Sequence, residues 1–504
     1  MKEPPASEQL AVEREILQTA PGGGGASAKI PTRTKLAYGF GSVAYGVKDG
    51  GLKYFLLLFY GQVIGVDQLL VGAAILLALI SDAFSDPIVG YWSDNLRSRW
   101  GRRHPFMYVA AVPISVSYYF IWNPPIGWSD QAMFWYIAIL AIIIRTFITF
   151  FETPNTALAP ELTDDYDERS SLLSFRYYFG WTGGNAMTVI NFAMIFPAFA
   201  TLAIPNGQFN PEAYSFYGLV ASALIFTAIM VSAIGTHSRI PHLKSPPPKR
   251  EMTLRKIFGE IFETLSSRSF IALFCAALVA FIASGLAAGL AFYFGTYFWG
   301  FSPEQLGAIT FGVFISAIIG AVLAPIVTRK LGKKRGAIII GLIAFIGSPM
   351  PIFLRLLGVL PDNGDPFIFW FYLVANTIDV GLIICYQILA ASMIADLVEQ
   401  SEVKTGRRSE GLFFAASTFM RKCGEGFGIV VATVVLSAVG LAAGAAQGEV
   451  PDDTLWRLGA VYVPVILSLW MIMIFFITRY ELDREGHEDN LRKLAERREA
   501  AAAE

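Results

Sequence analysis

Residues 77–105 read LALISDAFSDPIVGYWSDNLRSRWGRRHP, an apolar run that carries two aspartates and then breaks into a basic loop. Asp82 and Asp86 are four apart, so on a helix they stand one turn above the other on a single face. Carboxylates inside an apolar segment are costly unless they share a cation, a proton or a basic partner. The pair is therefore a candidate coupling-ion site. Its structural alternative, capping or bonding a neighbouring helix, needs only one acid.

Working outward from that run, composition sets the class. Of 504 residues 54% are hydrophobic and 16% charged, with mean hydropathy +0.52, against about 25% charged in soluble domains. Apolar stretches of spanning length recur at 36–60, 69–92, 105–122, 132–158, 172–196 and 214–235, and again at 270–298, 305–328, 336–357, 367–393, 411–439 and 455–478. The expected fold is an all-α polytopic membrane protein of twelve transmembrane helices in two six-helix halves. It divides into an N-terminal tail 1–35, a first bundle 36–236, a linker 237–268 containing SPPPKRE, a second bundle 269–478 and a tail 479–504. Positive residues mark the cytoplasmic side of a membrane protein. Arg97, Arg99, Arg102 and Arg103, the linker, the run Arg329–Arg335 and the loop with Lys404, Arg407 and Arg408 all fall on one side. The loops 123–131, 200–212 and 361–366 on the other side have no Lys or Arg. Both termini are thus expected in the cytoplasm, and the short external loops leave no room for a receptor domain. The halves also echo each other: GYWSDNLRSRWGRR after the second span has a counterpart in PIVTRKLGKKR after the eighth, as an internal repeat requires.

Other chemistries find little support. The run PGGGG lacks the Lys-Ser or Lys-Thr of a nucleotide-binding loop. The four His lie in loops or tails with no Cys beside them, and the three Cys lie at no metal-ligand spacing. No enzyme, no cofactor and no nucleic-acid partner are expected. The aromatic stripe Phe292, Tyr293, Tyr297, Phe298 and Trp299 reads as an interfacial belt. Within the spans lie further charges of both signs: Lys48, Asp49, Arg145, Glu152, Arg176, Asp379, Arg421, Lys422 and Glu425. Arg145 and Glu152, seven apart, share a helix face. Such charges suit a polar cavity near the midplane, where carboxylates accept and basic groups donate several bonds to a polyhydroxylated solute.

Gly90-x-x-x-Asp94 leading into Arg99-Trp100-Gly101-Arg102-Arg103 resembles the loop motif of the major facilitator superfamily. The longer string SDAFSDPIVGYWSDNLRSRWGRRHP is similar to that of its glycoside–pentoside–hexuronide:cation symporter family, which includes the melibiose carrier, and the likeness runs over nearly all twelve spans. The resemblance implies the major facilitator fold, a small-molecule substrate, and sodium- or proton-coupled symport of a sugar or glycoside by alternating access. Carried over position by position, it assigns the cation to Asp82, Asp86, Ser85 and Thr149, with Na+ held by Asp82 and Asp86 if sodium is the ion. It assigns substrate contacts to Lys48, Asp49, Glu152, Arg176, Thr418 and Lys422, and a cytoplasmic gate to Gly90, Asp94, Gly101, Arg102 and Arg103. Three departures bear on the substrate: Ser85 replaces an amide, Glu152 replaces an aspartate, and Thr156 replaces a ring-stacking aromatic. A branch of the family carries lysolipids, so a lysolipid or other amphiphile is the alternative substrate. A monomer surrounded by lipid in a bacterial inner membrane is the expected setting.

Overall fold

The computed structural model describes residues 29–163, 165–243, 268–405 and 410–480, together with 492, 493 and 496. The segment 1–28, most of the linker and most of the C-terminal tail lie outside it. Every regular element among the described residues is helical. Helix α1 covers Thr32–Phe40 and α2 Ser42–Gly50, the latter continuing through π-helical turns at Gly51–Phe55 and Phe59–Ile64. There follow α3 Gln68–Asn95, α4 His104–Ile121, α5 Asp130–Leu162, α6 Tyr166–Ile190 and α7 Pro211–His237. Beyond the linker come α8 Arg268–Tyr293, α9 Pro303–Leu331, α10 Lys333–Gly347 and α11 Met350–Leu356. The chain ends with α12 Pro366–Thr405, α13 Glu410–Val439 and α14 Asp452–Thr478.

Helix starts follow local sequence. The Asp67 carboxylate accepts from the first-turn amides of Leu69 and Leu70 at 2.8 and 3.3 Å, and Ser302 with Gln305 forms a reciprocal capping box at α9. Helix occupies all twelve stretches expected to span, and among the described residues nine helices are long and apolar enough to cross a membrane. The other three stretches are weaker for visible reasons. The first carries Lys48 and Asp49 at the end of α2 and Lys53 in the π-turn that follows. In α4, Tyr108, Tyr118 and Tyr119 share only 18 residues, and α6 carries Arg176. Helix α12 runs 40 residues, three turns past the expected end at 393.

Helices α1 and α2 pack on both α6 and α7, and α5 on both α3 and α4; in the second set, α8 packs on α13 and α14, and α12 on α9 and α10. Lipid offers no hydrophobic drive between helices, so close contact depends on small residues. A Cβ on Gly46 would stand 2.0 Å from the Gly180 carbonyl oxygen, and one on Gly184 2.5 Å from that of Gly46. The crossing of α8 and α13 is built alike: a Cβ on Gly285 would meet the Glu425 carbonyl oxygen at 2.0 Å, and one on Gly428 that of Ile282 at 2.2 Å. Between the two sets α3 packs on α13 and α6 on α9.

At the end opposite the basic loops the two sets are tied together. Gln68 Nε2 donates to the Leu441 carbonyl at 3.2 Å, Gly444 N to Gly61 O at 2.9 Å, and Tyr297 Oη to Gln62 Oε1 at 3.3 Å. Tyr293 Oη reaches Leu57 O at 3.2 Å and Thr296 Oγ1 donates to Gln208 Oε1 at 3.0 Å. This corrects the expectation of an interfacial belt. Phe292, Tyr293, Tyr297, Phe298 and Trp299 are all buried, the most exposed at 8%. Their hydroxyls and rings close one end of the molecule; Phe292 stacks on Phe55 of the first set at 5.1 Å.

Candidate functional site

Helices α3 and α5 lie side by side in register, so that residues four apart on one face residues four apart on the other. Arg145 Nη1 donates to Asp82 Oδ2, and Thr149 Oγ1 lies 2.7 Å from Asp86 Oδ1. From across the molecule α13 brings Lys422, whose Nζ is 2.8 Å from Asp86 Oδ2. Asp82 is buried, at 6% exposure, and its Oδ1 has no hydrogen-bond partner among the described residues. Asp82 Oδ1 is thus an unsatisfied buried acceptor, and one turn along the same two helices Asp86 Oδ1 and Thr149 Oγ1 add further hard oxygen donors. That is the donor chemistry a sodium ion requires. Ser85 turns away from it, its hydroxyl donating to the Asp82 carbonyl at 3.5 Å.

The donors adjoin a cavity of about 740 Å³, solvent at its mouth included, between the two helix sets. Five cations line it, Lys48, Lys53, Arg145, Arg421 and Lys422, with the acids Asp49, Asp82, Glu152 and Glu425. Asp86, beside the lining, makes the acids five as well. Ion pairs divide them: Lys48 with its neighbour Asp49, and Lys53 with Glu425 at 3.2 Å across the two sets. Arg176 reaches Glu152 at 3.8 Å and lies over the Tyr45 ring at 5.4 Å. The π-helical turn at Gly51–Phe55 lets α2 enter this crowd. A Cβ on Gly51 would stand 1.9 Å from the Tyr118 hydroxyl, so glycine is required there, and π-turns within helices are frequent at functional sites.

At the basic end a second cluster ties α3, α4 and α5 together. Arg103 pairs with Asp94 at 2.6 Å and donates from Nε to Glu161 Oε1 at 2.9 Å and from Nη1 to Ser93 Oγ at 2.9 Å. Arg102 Nη2 reaches the same Glu161 oxygen at 2.8 Å. Gly101 turns the loop with φ +71°, in the left-handed region that glycine enters without strain. In the second set Lys333 Nζ binds both oxygens of Asp396 at 2.6 and 2.8 Å.

A bundle of membrane-length helices, its central cavity lined by opposed charges, is a transporter's arrangement, and residues 37–484 match the family described as MFS/sugar transport protein. The chain belongs to that family. Its members are transporters and not enzymes, and this chain is a multi-pass membrane transporter. It is 23% identical to an isoprimeverose transporter of Lactiplantibacillus pentosus, over 90% of each chain. It is 25% identical to a sodium-dependent lysophosphatidylcholine symporter of Gallus gallus, over 94% of this chain and 90% of the relative. In structure it resembles a D-xylose-proton symporter, with a TM-score of 0.57 and 15% identity over 87% of this chain and 97% of that one; this likeness shows the fold.

Within this MFS transporter, the expected residues fall into two places. Asp82, Asp86, Thr149, Lys48, Asp49, Glu152 and Lys422 gather in or beside the cavity, with Arg176 behind Glu152. Asp94, Gly101, Arg102 and Arg103 gather at the basic end. Gly90 joins the basic-end cluster through its backbone, its carbonyl accepting from Ser93 Oγ at 3.1 Å, while a Cβ there would meet only Thr153 Cγ2, at 3.9 Å. The side chain of Thr418 lies outside the described residues. Arg145 and Glu425 also line the cavity, where they pair with Asp82 and with Lys53. Asp379 does not line it. Two residues escaped the sequence reading. Lys53 could have been found, since it stands one turn after Asp49 within a span. Glu161 lies in a loop string dense with acids, PELTDDYDERSS, where nothing distinguishes it from its neighbours.

Proposed function

We propose that this protein is a secondary transporter that couples entry of a cation to symport of a sugar or glycoside by alternating access. The observation that carries this reading is the joining of Asp86 to Thr149 on its own side and to Lys422 from the opposite helix set, beside the unsatisfied Asp82 oxygen. The cation would sit among Asp82 Oδ1, Asp86 Oδ1 and Thr149 Oγ1, and the hard oxygen donors favour sodium over a proton. Lys48, Asp49, Glu152, Arg176, Thr418 and Lys422 would hold the solute, since ionised groups give a polyol the strongest hydrogen bonds.

Coupling follows from electrostatics. A cation at Asp86 weakens the hold of Lys422 on the carboxylate, and with it the tie between the two six-helix halves, 36–236 and 269–478. The halves then rock about the loaded cavity. The gate cluster of Asp94, Arg102, Arg103 and Glu161 ties α3, α4 and α5 of the first half together at the basic end, which faces the cytoplasm, as do both termini. All groups needed come from one chain, so the working unit is a monomer, set in a bacterial inner membrane.

The second reading, an amphiphile carrier, draws on the relative named for lysophosphatidylcholine and on one feature of the cavity. Leu52, Leu56, Ile75, Ile148 and Ile429 make part of the wall apolar beside its charged part, which suits a solute with a polar head and an apolar tail. Uptake of labelled glycosides, pentosides and a lysolipid into vesicles, with sodium and proton gradients imposed separately, decides between them. Accumulation of a sugar under one gradient supports the first reading and identifies the ion. Gradient-driven uptake of the lysolipid alone replaces it with the second, and indifference to both gradients rejects coupling.

A further inference from the structure

Asp82 and Asp86 each already have a cation that belongs to the protein. Arg145 holds Asp82 and Lys422 holds Asp86, so two carboxylates face two fixed positive charges and the cluster is neutral. An arriving ion finds no net charge to attract it. The two internal cations are not equivalent. Lys422 comes from α13, in the other helix set. Arg145 comes from α5 itself, four residues before Thr149 and seven before Glu152, and its side chain lines the cavity. A guanidinium cannot lose its proton in a protein, so Arg145 yields Asp82 only by moving. The same cavity offers it Asp49 from α2, Glu152 from α5 and Glu425 from α13, among the cations Lys48, Lys53, Arg421 and Lys422. The unpartnered Asp82 Oδ1 gives an incoming ion a first contact while Arg145 still occupies Oδ2.

We propose that Arg145 is a tethered counter-ion that competes with the transported cation for Asp82 and, once displaced, presents its guanidinium to the solute in the cavity. The idea rests on the symport reading above and deepens it. One guanidinium cannot serve Asp82 and the solute together, so cation and solute each favour binding of the other by the same factor. Because a guanidinium forms paired hydrogen bonds to carboxylate and phosphate, the released group suits a solute bearing one of these anions.

The test uses purified full-length protein in lipid nanodiscs and sodium as the probe, with choline as the control ion. Radioactive sodium binding to Arg145→Gln is expected to be at least about tenfold tighter than to the unaltered chain, because Asp82 then carries uncompensated charge. The double variant Asp82→Asn with Arg145→Gln is expected to bind sodium weakly again. Equal sodium affinity in Arg145→Gln and the unaltered chain overturns the proposal. A second measurement needs no variant: phenylglyoxal modification of Arg145, located by peptide mass spectrometry, should rise severalfold when sodium replaces choline. Modification unchanged by sodium also overturns it. Failure of the symport reading would show itself differently, as vesicles of the unaltered protein that accumulate no solute under either gradient, whatever sodium does at Arg145.

Discussion

Asp86 and Lys422 join helices that belong to opposite ends of the sequence, with side chains 29% and 17% exposed. Removing one partner leaves the other as unpaired charge in a low-dielectric setting, whereas removing both leaves none. Asp86→Asn is therefore expected to abolish gradient-driven uptake and to lower stability by about 1–3 kcal/mol, less than for a fully buried pair. Adding Lys422→Gln should restore most of the stability and none of the uptake. Melting in detergent beside vesicle uptake checks both, and a double variant no more stable than the single one would count against the pairing. Glu161 is a different case. It is 7% exposed and accepts from both Arg102 and Arg103, so Glu161→Ala leaves two guanidinium groups short of their acceptor. A loss of about 2–4 kcal/mol is expected, with faster labelling of a cysteine placed at Ser98 in the adjoining loop.

Between helices, the decisive contacts are made by residues without side chains. The crossing of α2 with α6 and that of α8 with α13 each bring backbone against backbone through paired glycines. Gly46→Leu would drive a branched side chain into the Gly180 carbonyl and is expected to cost at least about 3 kcal/mol, read as loss of monodisperse protein and a lower melting temperature. Gly90, though part of the loop motif, meets only a methyl group at 3.9 Å. Gly90→Ala should stay within about 0.5 kcal/mol of the unaltered protein. A large loss at Gly90, or none at Gly46, would mean that these helices pack otherwise than described.

On the scale of the whole molecule, the end opposite the basic loops is the one held shut. Asn206 Nδ2 donates to Gln447 Oε1 at 2.6 Å, and Gln447 Nε2 to Thr296 O at 2.9 Å, so that 201–210 of the first set is bound to 440–451 of the second. Alternating access requires this end to open once per cycle. With Cys275, Cys385 and Cys423 replaced, a short reversible bifunctional thiol reagent bridging Asn206→Cys and Gln447→Cys should stop uptake by at least about 90%, and reductant should restore it. That figure reflects a trapped state in a two-state scheme, since a covalent tie removes one state altogether. Uptake that continues in the bridged protein would exclude a cycle that opens here.

The membrane class, the helical stretches, the basic side and the loop motif were legible in residues 77–105 and the runs around them. Each depends on local composition and on a spacing along one helix, and the bilayer restricts the choice to helices for such stretches. The pairing of Asp82 with Asp86 on one face was legible for the same reason. What only the tertiary structure decided is who answers those charges. Arg145 and Thr149 meet Asp82 and Asp86 because α3 and α5 lie in register, and Lys422 arrives from 336 residues away. Spacing within a helix says nothing about the register between helices. The aromatic stripe at 292–299 was misread for a like reason: rings that suit a membrane interface suit an inter-helix seal equally well, and the choice belongs to the neighbour that Phe55, Leu57 and Gln62 supply.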